Sequence, residues 1–252
     1  MRNALITGAA KRVGRAMALH LAQQGWNIAI HYHHSANEAE SLKQAIEALG
    51  QKAVLVQADL QDEDAQASVV ESAANVLGGL TLLINNAGRF RKDNLQNMQR
   101  ADYDKHMNLH VWASLKLIQD FAALAATEQG ECNIINITDG MTGWSLSSGY
   151  LTYSLSKATL HHLTEALARE LAPGIRINAI APGATLPGEE DGEAEFARIA
   201  AHTPLQRVSS PEEVCQALDY ILSARSMTGQ SIRLNAGAHI PPVWVEKDES
   251  GS

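Results

Sequence analysis

Short runs of β-branched and aliphatic residues alternate along the chain with longer stretches whose apolar positions recur every three or four residues. The short runs have the length and composition of buried strands, and the long ones the period of helices packed by one face. Strands are predicted over 4–7, 27–32, 53–56, 80–85, 133–138, 175–180 and 231–234, and helices over 12–24, 36–49, 62–77, 101–126, 150–171 and 211–224. Repeats of this kind build a parallel sheet, because a strand can return in the same direction only through a crossover, and right-handed crossovers place helices on both faces. The predicted fold class is α/β, a doubly wound sheet of seven parallel strands. Its strand C-terminal ends share one edge, where chemistry gathers.

The rhythm breaks at 182–204, where prolines, glycines and the acidic residues Glu189, Glu190, Asp191, Glu193 and Glu195 follow a predicted strand. A connection of that length reads either as a substrate lid or as a solvated acidic loop. One domain is expected over residues 1–240, lid included, followed by a tail at 241–252 with neither period. Within the tail, 246–252 is expected to be disordered, and Pro241-Pro242-Val243-Trp244-Val245 to dock on a neighbouring subunit.

Composition narrows the partners. The 252 residues suit one continuous α/β core. Lys and Arg number 20 against 28 Asp and Glu, a net charge of −8 with no long basic run, so nucleic acid is not an expected partner. Cys132 and Cys215 lack the spacing of a metal knuckle or redox pair and read as free thiols of a reducing compartment. The first strand starts too early for a signal peptide, and no apolar run approaches the ~20 residues of a membrane span. A cytoplasmic chain without a membrane partner is expected.

Thr7-Gly8-Ala9-Ala10-Lys11-Arg12-Val13-Gly14 joins the first strand to the first helix. Glycines there admit a pyrophosphate close to the backbone, and the helix N-terminus attracts it, although an ordinary βα turn also uses glycine. Between an opening strand and an amphipathic helix, the segment reads as a Rossmann-type nucleotide turn with Gly8, Arg12, Val13 and Gly14 as contacts. The second strand ends in His31-Tyr32-His33-His34-Ser35. An NAD site usually carries Asp or Glu at that point, and a carboxylate would repel a 2′-phosphate. With none present, and with His33, His34, Ser35 and Arg12 to supply hydrogen bonds and charge, the residues point to NADP(H). Asp59 and Leu60 follow the third strand, where Asp59 either meets the adenine amino group or caps the next helix. Asn86, Ala87 and Gly88 end the fourth strand, where small and amide residues suit backbone support and cofactor passage.

Tyr153 and Lys157 stand four apart on a predicted helix, so the ammonium shares a face with the phenol and is expected to lower its pKa. Such a pair also occurs on ordinary helices, and only context makes it a site. His106 and His110, also four apart, read as surface or interface histidines. The His31, His33 and His34 cluster lacks the carboxylates or thiols that complete a ligand set, so no metal is expected.

Thr-Gly-x-x-x-Arg-x-Gly at the start, Asn-Asn-Ala-Gly at the fourth strand, Asn108 in a long helix, Tyr153-x-x-x-Lys157 and Pro182-Gly183 occur in order. With this set the chain resembles the short-chain dehydrogenases/reductases over nearly its whole length. The resemblance implies Asn108, Tyr153 and Lys157 as catalytic, Pro182, Gly183 and Thr185 near the nicotinamide, and a homotetramer, for which helices 101–126 and 150–171 supply packing faces. One departure is informative: where most of the family carries serine after the fifth strand, this chain has Asp139. Ser145, Ser147 and Ser148 match that position less well, and Thr138 should point to the other face.

Asp139, together with Thr-Gly-Ala-Ala-Lys-Arg, His-Tyr-His-His-Ser and Asn86-Ala87-Gly88-Arg89-Phe90, is similar to the pteridine reductase branch. That branch implies NADPH and a pterin or folate substrate, with Phe90 stacking on the pterin and Arg12 reaching both cofactor and substrate. As single residues, Phe90 also reads as a hydrophobic plug and Asp139 as a turn cap. The mechanism implied is hydride transfer to a C=N bond with Tyr153 as proton donor, Lys157 on the nicotinamide ribose, Asp139 orienting Tyr153 or a water, and Asn108 positioning a water or Lys157. Two rivals are a carbonyl reductase acting on ketone, sugar or acyl substrates and a non-catalytic NADP-binding regulatory protein.

Overall fold

A computed structural model describes residues 2–125, 131–141, 149–187 and 192–240. Within them lie strands β1 (Asn3–Ile6), β2 (Asn27–Tyr32), β3 (Ala53–Gln57), β4 (Leu82–Asn85), β5 (Cys132–Ile137), β6 (Ile175–Pro182) and β7 (Ser231–Leu234). They form one sheet in the order β3-β2-β1-β4-β5-β6-β7, with every pairing parallel. All residues of β1, β4 and β5 are buried, and for that reason they read as mostly apolar segments, interrupted only by buried asparagines, rather than as alternating apolar and polar positions. The strand order reverses between β1 and β4, which opens a crevice above the ends of the two strands.

The helices are α1 (Arg12–Gln23), α2 (Ala36–Ala48), α3 (Glu63–Ala67), α4 (Val69–Leu77), α5 (Arg100–Met107), α6 (Ala113–Ala125), α7 (Leu151–Leu171), α8 (Gly192–Ala201) and α9 (Pro211–Ser223). Two core layers flank the sheet. One joins Met17 and Leu21 of α1, Leu42 and Ile46 of α2, and Leu218 and Ile221 of α9; the other joins Val69 and Leu77 of α4 with Leu117 and Phe121 of α6. Among the described residues no helix is long and apolar enough to cross a membrane.

Three elements differ from the sequence expectation. The helix expected over 62–77 breaks at Ser68, whose hydroxyl donates back to Ala65 O. The helix expected over 101–126 contains a π-helical turn at Asn108–Trp112, closed by a bond from Ala113 N to Asn108 O, and its described part ends at Ala125. Such a turn holds one extra residue, which a regular 3.6-residue period cannot reveal. The segment at 182–204, read as a lid or a solvated loop, contains α8, whose Phe196, Ile199 and Ala200 keep a helical spacing although none of its residues is buried. Glu189, Glu190 and Asp191 of the acidic cluster, Ser145, Ser147 and Ser148, and the tail at 241–252 lie outside the described residues.

Candidate active site

The crevice is a cavity of about 890 Å³ running from the turn after β1 to the start of α7. The turn is held from its neighbours. Thr7 Oγ1 accepts from Asn86 N at 2.8 Å and Ala87 N at 2.9 Å, while Asn86 Nδ2 donates to Thr7 O at 2.8 Å and Gly8 O at 3.2 Å. Gly8 takes a left-handed φ of 62°, a conformation that glycine adopts without steric cost. A Cβ on Gly14 would lie 2.7 Å from Asn86 Nδ2 and closer still to Gly8 O. Asn86 therefore braces the turn, and Gly14 leaves room for the backbone of Gly8 and the Asn86 amide to pack against it.

His31, which sequence reasoning did not assign, completes this brace. Its Nδ1 accepts from Gly8 N at 3.1 Å, so the ring proton sits on Nε2, which donates to Ala58 O at 3.2 Å. Burial holds its pKa down from 6.5 to about 4. An unfolded chain takes up this proton below pH 6.5 while the native chain does not. Stability should therefore be level above pH 6.5 and fall between 6.5 and 4, by about 3 kcal/mol in total for this group. His106, His110 and His161, also lowered by burial, add in the same direction. Urea midpoints from pH 7 to 4.5 check this, and His31→Gln should flatten the slope by one proton.

At the far end of the turn, Arg12, Val13, His33, Asp59 and Leu60 line the cavity. So does Lys11, paired at 2.7 Å with Glu38. This ion pair was not anticipated, because Glu38 belongs to α2 and only the fold brings it to the turn. Arg12 reaches the segment after β6, donating to Pro187 O at 3.0 Å and Leu186 O at 3.2 Å. His33 packs against His34 with the rings tilted by 30° and 3.4 Å between centroids. His34 and Ser35 themselves stand outside the lining, as Ser35 already occupies the N-cap position of α2. Asp59 is not the cap of the next helix: its Oδ1 accepts from Gln61 N in a local turn, and Asp62 caps α3 through Asp64 N and Ala65 N.

At the other end, Asp139 accepts from Met141 N at 2.8 Å through Oδ1 and from the Tyr153 hydroxyl at 3.0 Å through Oδ2. It is both a turn cap and a partner of Tyr153. Burial raises its pKa, against the hydrogen bonds from Met141 and Tyr153 and the charge of Lys157. The phenol is not lowered as expected. Burial pushes the Tyr153 pKa well above 10, and the Asp139 carboxylate adds to the push. Lys157 Nζ donates to Ile137 O at 2.8 Å, and burial holds its pKa down to about 8 against the attraction of Asp139. Thr138 Oγ1 turns onto Ile180 O.

Asn108 does not join this group. It is exposed and outside the lining. The residues that face α7 are His106 and His110, and a position two from each lies across the helix. These histidines are buried rather than surface or interface groups. The plug reading of Phe90 also fails, since the side chain lines the cavity and is 58% exposed. It stacks on Tyr150 at 4.3 Å and meets Tyr153 edge-on at 4.8 Å. Tyr150 is a second aromatic wall that the sequence did not single out. Ala87, Gly88, Pro182, Gly183 and Thr185 line the middle, with Thr185 Oγ1 donating to Gly183 O. A long cleft with cations at one end, an open glycine floor and a Tyr153, Lys157 and Asp139 cluster at the other fits NADP(H).

The family described as enoyl-(acyl carrier protein) reductase matches residues 8–239. The 3-oxoacyl-[acyl-carrier-protein] reductase FabG of Staphylococcus aureus is 30% identical over 244 residues, which are 95% of this chain and 98% of that protein. Among solved structures, FolM alternative dihydrofolate reductase 1 from Brucella suis, in complex with NADP, superposes with a TM-score of 0.88 at 35% identity, covering 95% of this chain and 96% of its own. Acetoin dehydrogenase YohF from Salmonella typhimurium gives 0.87 at 26% identity, covering 97% and 98%.

Proposed function

Because the chain belongs to the short-chain dehydrogenase/reductase family, we propose that it is an NADPH-dependent reductase of a dihydropterin or folate-like C=N bond, with Tyr153 as proton donor. The observation that carries this reading is the Tyr153 hydroxyl bonded to Asp139 beside an aromatic wall of exposed Phe90 stacked on half-buried Tyr150. A flat heterocycle suits such a wall. The solved FolM reductase in complex with NADP supports the same choice.

NADP(H) would be held by Gly8, Val13, Gly14, Asn86, Ala87 and Gly88 along the floor, with Lys11, Arg12 and His33 toward a 2′-phosphate and Lys157, Pro182, Gly183 and Thr185 toward the nicotinamide. When bound it supplies the hydride. The raised pKa keeps the Tyr153 phenol protonated until the substrate nitrogen gains electron density, and the proton then passes from Tyr153 Oη to that nitrogen. Lys157, cationic at neutral pH with a pKa of about 8, offsets the phenolate charge. Asp139, which accepts from the Tyr153 hydroxyl, orients Tyr153 or a water that relays a proton from solvent to the phenolate. The reading includes a homotetramer, supported by the exposed apolar Trp112 beside α6 and Leu155 on α7.

NADPH and NADH oxidation with 7,8-dihydropterins, dihydrofolate and simple ketones tests the reading, with Asp139→Ser in parallel. Turnover of dihydropterins with NADPH in preference to NADH, reduced in Asp139→Ser, is expected. Ketone turnover unchanged in that variant, with pterins inert, would favour the carbonyl reductase reading that the Staphylococcus aureus relative supports. Phe90→Ala should raise KM about tenfold for dihydropterins, in line with a lost aromatic contact of ~1 kcal/mol or more, and less for ketones. Equal changes would remove the stacking role.

A further inference from the structure

His106 and His110 are four apart, as are Thr152 and Ser156 of α7, and the pairs meet in two rungs on either side of Tyr153. His106 Nδ1 bonds Thr152 Oγ1 at 2.8 Å, and His110 Nδ1 bonds Ser156 Oγ at 2.7 Å. Donors and acceptors can be assigned throughout. Thr152 Oγ1 donates to Asp93, whose Oδ1 also accepts from Thr152 N at 3.0 Å, so the first rung ends on a carboxylate that braces the start of α7. In the second rung Ser156 Oγ donates to Tyr153 O at 2.7 Å, so it accepts from His110 Nδ1–H. His110 Nε2 is then the acceptor, and it receives Arg89 N–H at 3.0 Å. Arg89 is the residue before Phe90. One neutral imidazole thus links the loop bearing the aromatic wall to the backbone of the proton donor.

We propose that His110 is a positioning residue that couples Phe90 to Tyr153, so that the stacking ring and the phenol keep one fixed separation. Burial, with the charge of Lys157, keeps the imidazole neutral and preserves this tautomer. Its rings stand edge to face, with 5.7 Å between the centroids of His110 and Tyr153, so His110 acts through backbone bonds and gives no proton to substrate. This inference rests on Tyr153 as the proton donor, but not on the identity of the substrate.

The test uses the full-length chain. His110→Leu removes both bonds and should lower kcat about 10- to 100-fold, the scale of a misplaced reacting group, with KM for NADPH within about twofold. His110→Gln offers one acceptor and one donor and should recover the rate to within about threefold. Amide hydrogen exchange of the peptide containing Arg89 should quicken in His110→Leu and return toward wild type in His110→Gln. If His110→Leu does not fold, Ser156→Ala deletes one hydroxyl only, and should lower kcat while leaving the Arg89 amide protected. Unchanged kcat in both His110→Leu and Ser156→Ala, or an Arg89 amide equally protected without the imidazole, would overturn the coupling. Should the wild type reduce ketones and not dihydropterins, the substrate reading falls, and the coupling is judged on ketone kinetics and exchange.

Discussion

Tyr153→Phe is expected to lower kcat by about 10²- to 10⁴-fold, the usual contribution of a positioned acid, with NADPH affinity close to wild type. The ring would remain. Its edge contacts with Phe90 and His110 do not involve the hydroxyl, and the substitution removes only the oxygen that donates to Asp139 at 3.0 Å. Fold and cofactor cleft should therefore survive, and the loss should fall on the chemical step. Steady-state rates with NADPH fluorescence titration check it, and a variant that keeps most of its rate would exclude Tyr153 as donor.

Gly14→Ala should cost about 1–3 kcal/mol of stability, the range for overpacking a tight site, and weaken NADPH binding at least tenfold. The new methyl would meet the Asn86 amide at 2.7 Å and press harder on Gly8 O. Neither neighbour can yield freely. Asn86 is committed to Thr7 O and Gly8 O, and Gly8 N is tied to His31. Relief must come from lifting the turn into the cleft, where the proposed cofactor would lie. Thermal melts and NADPH titration measure both effects, and an unaltered affinity would mean that the floor of the cleft lies elsewhere.

The strands and the helices between them were legible because they rest on local periodicity, whereas the order of the strands in the sheet came from the fold. Short, mostly apolar runs marked β1, β4 and β5, and the three-to-four spacing marked α1, α7 and α9. Gly14 was legible for a related reason, since a βα turn admits few residue types near its backbone. Asp139 stood out through its departure from serine, though the sequence left it open as a cap or a partner of Tyr153. The fold makes it both.

The sequence by itself determined the doubly wound sheet, the edge at which the site forms and the placing of Tyr153 and Lys157 on one helix, because each depends on neighbours a few positions apart. Only the tertiary structure decided which way the Tyr153 pKa moves, that Lys11 meets Glu38, that His31 holds Gly8, and that His110 rather than Asn108 faces α7. Burial sets the first, and the others are bonds between segments far apart in the chain, as with the 46 positions between His110 and Ser156. A hydrogen bond depends on where two atoms are brought, and spacing along a chain does not encode that until the core has packed.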